Sequence, residues 1–258
     1  MDLVMKTLKH FFLIVSLAVC SIALQSCNKE DIVRLSTAIV TVRPNTALNS
    51  VEFKVNDELI LYPVNITGTE LGKEERRALI EFRKPTDSEA LPMSSIGPQV
   101  YVTWIKLILT KQLAENMGSD EANAEQYGQD PVEIVNDWVT LAEDGYMNLC
   151  FRTMWGGMAT HYVNMVYTPE PDNPYCVTFY HDAMGDAANY QNDALVAFRL
   201  SDLPDTNGQT VDLKVKWNSF SGPKSTTFKY CTRKETNSIS SVISQPSLAT
   251  IPMVDGIY

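Results

Sequence analysis

The sequence predicts an all-β chain built as a small five-stranded barrel followed by a β-sandwich. Three observations point there. Apolar and polar residues alternate at period two in many short runs between residues 38 and 230, and clusters of Gly, Pro, Asn and Asp interrupt that alternation at short intervals. In residues 100–109 the apolar phase changes near Trp104 and Ile105, the mark of a β-bulge or strong bend.

The barrel strands follow in order. Ala38, Val40 and Val42 alternate with Ile39, Thr41 and Arg43. Val51-Glu52-Phe53-Lys54-Val55, a turn at Asn56-Asp57-Glu58 and a return through Leu59 to Tyr62 read as a hairpin over 50–63. Ala78, Ile80 and Phe82 form the next strand, which stops before Pro85, and Val100 to Leu109 the last. Five short strands in about 75 residues favour closure, which hides sheet edges. Residues 112–130 carry five acids, no base and no periodic apolar residues. They predict an acidic connection, with at most a helical turn over Gln112–Met117.

From Pro131 the β signal returns. Met147, Leu149 and Phe151 share one phase, as do Val163 and Met165, Val177 and Phe179, Val196, Phe198 and Leu200, then Val211, Leu213, Val215 and Trp217, and finally Phe228 and Tyr230. About six or seven strands at this spacing predict a sandwich over 131–234. Residues 235–258 are Ser/Thr-rich with irregular apolar spacing and read as a tail.

Composition excludes disorder, collagen and small disulfide scaffolds: of 258 residues, 45% are hydrophobic and 20% charged. A formal net charge of -10 and no basic cluster argue against nucleic-acid binding, which draws its affinity from neutralised phosphates. Residues 1–27 have a polar n-region (Lys6, Lys9, His10) and an apolar run from Phe11 to Leu24, the pattern of a signal peptide. Leu24-Gln25-Ser26-Cys27 resembles a bacterial lipobox with Cys27 as the acylated residue; Val19 before the rival Cys20 is too large for the position. Lys29, Glu30 and Asp31 after it look like the acidic export signal of Bacteroidetes surface lipoproteins. Acyl chains bury at ~0.8 kcal/mol per CH₂, so the expectation is an outer-membrane lipoprotein, surface-exposed or else periplasm-facing, tethered through Cys27. Removing residues 1–27 leaves a body of formal charge -11 from residue 28 onward.

The order of parts is similar to one family. The lipobox, the segment Leu59-Ile60-Leu61-Tyr62-Pro63, the acidic connection, Asp144-Gly145-Tyr146-Met147-Asn148-Leu149, His161-Tyr162-Val163-Asn164-Met165-Val166, His181-Asp182-Ala183-Met184-Gly185-Asp186 and Ala197-Phe198-Arg199-Leu200 resemble the NigD-like lipoproteins of Bacteroides and Prevotella relatives. The resemblance implies an OB-like barrel over 28–111 and a β-sandwich over 131–234. It also implies a possible bacteriocin-immunity role, and it transfers no catalytic residues.

Chemistry is sparse. Only His161 and His181 remain outside the leader, neither beside a Gly-x-Ser-x-Gly elbow, and His161 reads as a hydrogen-bonded strand-end residue. His181, Asp182 and Asp186 form one suggestive cluster, too small for a calcium cage and lacking a second His at zinc-ligand spacing; Asp beside Gly more often makes turns. Adjacent acids such as Glu74-Glu75 read as solvated faces. Cys150, Cys176 and Cys231 fall on the phase opposite the core and read as free thiols. Trp155, beside Gly156-Gly157, is the expected exposed aromatic; Trp138 and Trp217 read as core. No catalytic residue, metal or cofactor is expected. The leading expectation is a non-enzymatic envelope protein whose loops bind a protein or glycan partner at Trp155, His181, Asp182 and Asp186. The alternatives are a metal-assisted or carboxylate-based hydrolase at His181, Asp182 and Asp186, and a structural subunit whose tail joins another chain's sheet.

Overall fold

Five strands close into a barrel: β1 (Ser36–Asn45), β2 (Ser50–Lys54), β3 (Ile60–Pro63), β4 (Arg76–Arg83) and β5 (Gln99–Leu107), ordered β1-β2-β3-β5-β4 with β4 returning to β1. β3 and β5 are parallel and the other neighbours antiparallel, the arrangement of an OB barrel. The computed structural model describes residues 34–45, 50–67, 71, 74–92, 97–186 and 189–233. Cys27, Lys29, Glu30, Asp31 and the 235–258 tail lie outside them.

The inward phase of each strand fills the barrel: Val40, Val42, Phe53, Leu61, Ile80 and Val102 are all buried in one cluster. The bulge stands where the phase change puts it. Pairing runs Glu81 with Trp104 and then Phe82 with Val102, which leaves Thr103 as the extra residue. Its hydroxyl donates to the Glu81 carbonyl at 3.1 Å and to the Glu81 carboxylate at 2.7 Å.

The sandwich has two sheets. One runs β10 (Tyr162–Tyr167), β11 (Cys176–Asp182), β13 (Val211–Ser219), β14 (Gly222–Tyr230). The other orders β6 (Leu109–Lys111), β12 (Tyr190–Arg199), β9 (Tyr146–Trp155) and β7 (Glu133–Ile134), with β8 (Leu141–Glu143) also paired to β9. Between them lie Met147, Leu149, Phe151, Val163, Met165, Val177, Phe179, Val196, Phe198, Leu213 and Val215. β9 is also buried on its outward phase, because Cys150 meets Leu195 and Ala197 of β12 and Ile39 and Leu79 of the barrel.

The connection differs from its expected form. Leu109–Lys111 pairs in parallel with β12, so the chain passes from the barrel into the sandwich within two residues. Residues 112–130 lie on the sandwich: Ala114 bridges Val166, and helix α1 (Asp120–Tyr127) packs Ala124 against Val166 and Tyr180. The helix starts eight residues beyond Gln112 because Ser119 caps it, accepting from the Ala122 N–H at 3.1 Å, with Asp120 and Glu121 in the first turn. Gly128 ends it at φ 86°.

Barrel and sandwich belong to one compact unit beginning at Leu35, and a buried ion network ties them. Asp144 and Gly145, both at positive φ, make the two-residue turn between β8 and β9. From that turn Asp144 reaches Lys54 of β2 at 2.6 Å and accepts from the Thr41 hydroxyl of β1 at 2.5 Å. Arg77 of β4, fully buried, donates to Asn148 of β9 at 3.0 Å and to Thr41 at 2.8 Å. Glu75 collects Arg43, Arg199, Arg233 and the Tyr146 hydroxyl. Its pKa is lowered, burial being outweighed by those partners.

Candidate recognition site

One end of the sandwich gathers the residues singled out as suggestive, in an arrangement the sequence did not display. β9 ends at Trp155, and Gly156, Gly157 and Met158 turn away toward His161 just before β10. β11 ends with His181 and Asp182, followed by the Ala183–Asp186 turn. Asp186 reaches across: its carboxylate accepts from the N–H groups of Gly156 at 2.6 Å, Gly157 at 2.9 Å and Met158 at 2.9 Å. Asp182 accepts from Met184 N–H at 2.7 Å, and Asp130 from Ala183 N–H at 2.7 Å. Three carboxylates therefore pin two loop tips through backbone donors, and Asp186 bridges one tip to the other.

Beneath the tips lie two histidines, both shielded from solvent. His161 Nε2 stands 3.2 Å from Asp186, and its Nδ1 is 2.9 Å from His181 Nε2. An ionised carboxylate only accepts, so His161 donates from Nε2. The Asp130 carbonyl, which only accepts, stands 3.3 Å from His181 Nδ1, so His181 donates from that nitrogen and turns Nε2 toward His161. Burial, then the His161 charge, lowers the His181 pKa to about 4. The Asp186 pKa is also lowered: burial raises it, but the backbone donors of Gly156, Met158 and Gly157 and the His161 ring together outweigh that.

Trp155 is a correction. It is 2% exposed, stacked on His161 with centroids 4.0 Å apart, and donates from Nε1 to the Asn192 carbonyl at 3.2 Å. β9 runs one residue further than a loop reading allows, and its phase turns Trp155 inward. The turn begins only at Gly156. Asp182 does not join the His161–His181–Asp186 chain and stays with its own turn. The ring nitrogens of both histidines are engaged away from solvent, so the cluster braces the loops rather than offering an exposed base. Among the described residues no group of three His, Cys, Asp or Glu could hold a metal ion.

The exposed side chains at this end are others. Met158 is 85% exposed and Met184 57%, and Tyr162 and Tyr190 flank them at 43% and 47%. The methionines were missed, although each sits beside glycine in a turn. Met184 also adopts φ 54°, a left-handed conformation uncommon for a long side chain. Elsewhere, Trp104 is 46% exposed on the barrel, Trp217 is buried, and Cys150, Cys176 and Cys231 are free thiols.

An OB-ordered barrel fused to a two-sheet sandwich defines a class of barrel-plus-sandwich proteins, and the comparisons identify which. Residues 115–230 match the NigD-like C-terminal beta sandwich domain. A solved structure named a putative toxin-related protein, from Parabacteroides distasonis, is 35% identical, covers 77% of this chain and 94% of that one, and has a TM-score of 0.64. The chain belongs to the NigD-like family. Two further structures share the fold alone: a protein of unknown function from Bacteroides vulgatus (16% identity, 76% and 91% coverage, TM-score 0.61) and a NigD-like immunity protein from Bacteroides caccae (17%, 77% and 97%, 0.51). No curated protein matches.

Proposed function

We propose that the protein is a non-enzymatic lipoprotein of the bacterial envelope, anchored at the outer membrane through Cys27, with Lys29, Glu30 and Asp31 directing it to the surface. The loop end of the sandwich binds a protein partner there, in keeping with the immunity role named for the Bacteroides caccae neighbour. One observation carries the reading: Asp130, Asp182 and Asp186 fix two loop tips whose most exposed side chains are methionines. Clustered exposed apolar side chains on a rigid scaffold mark recognition surfaces.

Photo-crosslinking in intact cells tests it. A photoreactive residue at position 158 or 184 should trap a protein, whereas one at Thr226 on β14 should not. Equal trapping at all positions, or none, would defeat the reading. Surface placement is tested separately by protease shaving: a chain cleaved only after the outer membrane is opened would confine it to the periplasm.

A further inference from the structure

The chemistry of the loop end narrows the partner, provided the loop-end reading itself holds. Around the tips, residues 128–130, 154–163, 181–186 and 189–191 contain Asp130, Asp182 and Asp186 and no lysine or arginine. Each aspartate accepts from backbone N–H groups of the tips. Lys214, Lys216 and Lys224 line the adjacent cavity of about 370 Å³ and are each engaged by acids, the first two by Glu170 and the third by Glu133, while Arg152 pairs with Asp193 and Lys111 donates to the Val163 carbonyl at 2.8 Å. The body behind the patch carries a formal charge of -11 once residues 1–27 are removed. The tips are therefore apolar, with Asp130 and Asp182 beside them, on a body of net negative charge.

We infer that this end of the sandwich binds a peptide segment that combines lysine or arginine with large apolar side chains. The apolar groups bury Met158, Met184, Tyr162 and Tyr190, four side chains at 43–85% exposure. Methionine suits the task because its unbranched thioether repacks against varied apolar shapes, and tyrosine supplies a rigid contact with a polar tip. The basic groups answer Asp130 and Asp182, the Asp186 side chain being shielded from solvent, and they speed encounter and make binding salt-dependent. A polyanionic glycan or acidic peptide would meet like charge.

Selection from a random dodecapeptide phage library against the immobilised full chain, with counter-selection on the M158S/M184S variant, reads the partner chemistry directly. Both methionines are exposed, so the variant should keep the wild-type melting temperature. Enriched peptides should carry net positive charge with large apolar residues, bind M158S/M184S about tenfold or more weakly, and weaken further as salt rises. Enrichment of acidic or uncharged peptides, binding unaffected by M158S/M184S, or no enrichment would each overturn the inference. Cross-linking from position 158 separates the failures. A trapped protein with no basic-apolar enrichment refutes the partner class alone, and the absence of any trapped protein removes the loop-end reading.

Discussion

Lys54 and Asp144 meet at 2.6 Å with neither side chain exposed, joining a barrel strand to a sandwich turn. Two charges taken out of water hold only while paired, so this contact couples the modules tightly and leaves them vulnerable to loss of either partner. Asp144 also supplies the first residue of the Asp-Gly turn, and the two roles are separable.

Asp144→Asn keeps the turn, since Asn-Gly is equally suited to positive φ at both positions, but removes the charge. Unfolding by urea should show a loss of about 3 kcal/mol, with barrel and sandwich still melting together. A loss within about 0.5 kcal/mol would mean the buried pair contributes little beyond the turn.

Buried His181 and half-buried Glu143 set opposing pH dependences. His181, lowered from 6.5 to about 4 by burial and His161, contributes stability that is complete above pH 6.5 and lost as the pH falls toward 4. Glu143, raised from 4.5 to about 7 by burial, with Asp144 adding to the rise and Arg77 opposing it, contributes stability present below 4.5 and lost as the pH climbs through 7. Each is worth on the order of 3 kcal/mol, so the wild type should vary little between pH 4.5 and 6.5. In Glu143→Gln the urea midpoint should drop steeply on acidification over that range. In His181→Gln it should rise. Parallel profiles in all three proteins would refute the assignment.

Gly128 ends α1 where the chain crosses β11. A Cβ there would lie 2.5 Å from Asp182 Cβ and 2.7 Å from the His181 carbonyl oxygen, at a φ of 86°. Gly128→Ala should cost about 2–3 kcal/mol and displace the His181 end of β11. Thermal melting measures the first, and shifted His181 ring resonances report the second.

Of the three described thiols, Cys231 should be alkylated first at pH 8. Cys150 is buried, with its pKa pushed up to about 12 by burial, then by Asp137 and Asp193. Cys176 is buried and raised as well. Mass spectrometry after timed iodoacetamide labelling should find these two modified only on unfolding.

The strands and even the bulge at Thr103 were legible because a half-exposed strand writes its phase into the sequence. In β9 the phase of Met147, Leu149 and Phe151 was legible too, but not the burial of Cys150 on the opposite face, which the barrel residues Ile39 and Leu79 cover. The helix was signalled by Ser119-Asp120-Glu121 and Gly128, but its inward face offers only Ala124 and the partly buried Tyr127. At the loop end, residue type revealed His181 and Asp186 but not their link. His161 lies 20 residues from His181 and 25 from Asp186, and only antiparallel pairing of β10 with β11 brings them together. Trp155 misled because a Gly-Gly pair marks a turn without marking which residue is last in the strand.

Hydrogen exchange at the amides of Gly156, Gly157 and Met158 tests most directly whether the loop tips are held ready for a partner. The three N–H groups should exchange slowly in the wild type, although Gly157 and Met158 are exposed, and about 100-fold faster in Asp186→Ala, with the core amides of β9 unchanged. Exchange in the wild type at the rate of an unstructured peptide would show that Asp186 does not fix the tips and would contradict the account.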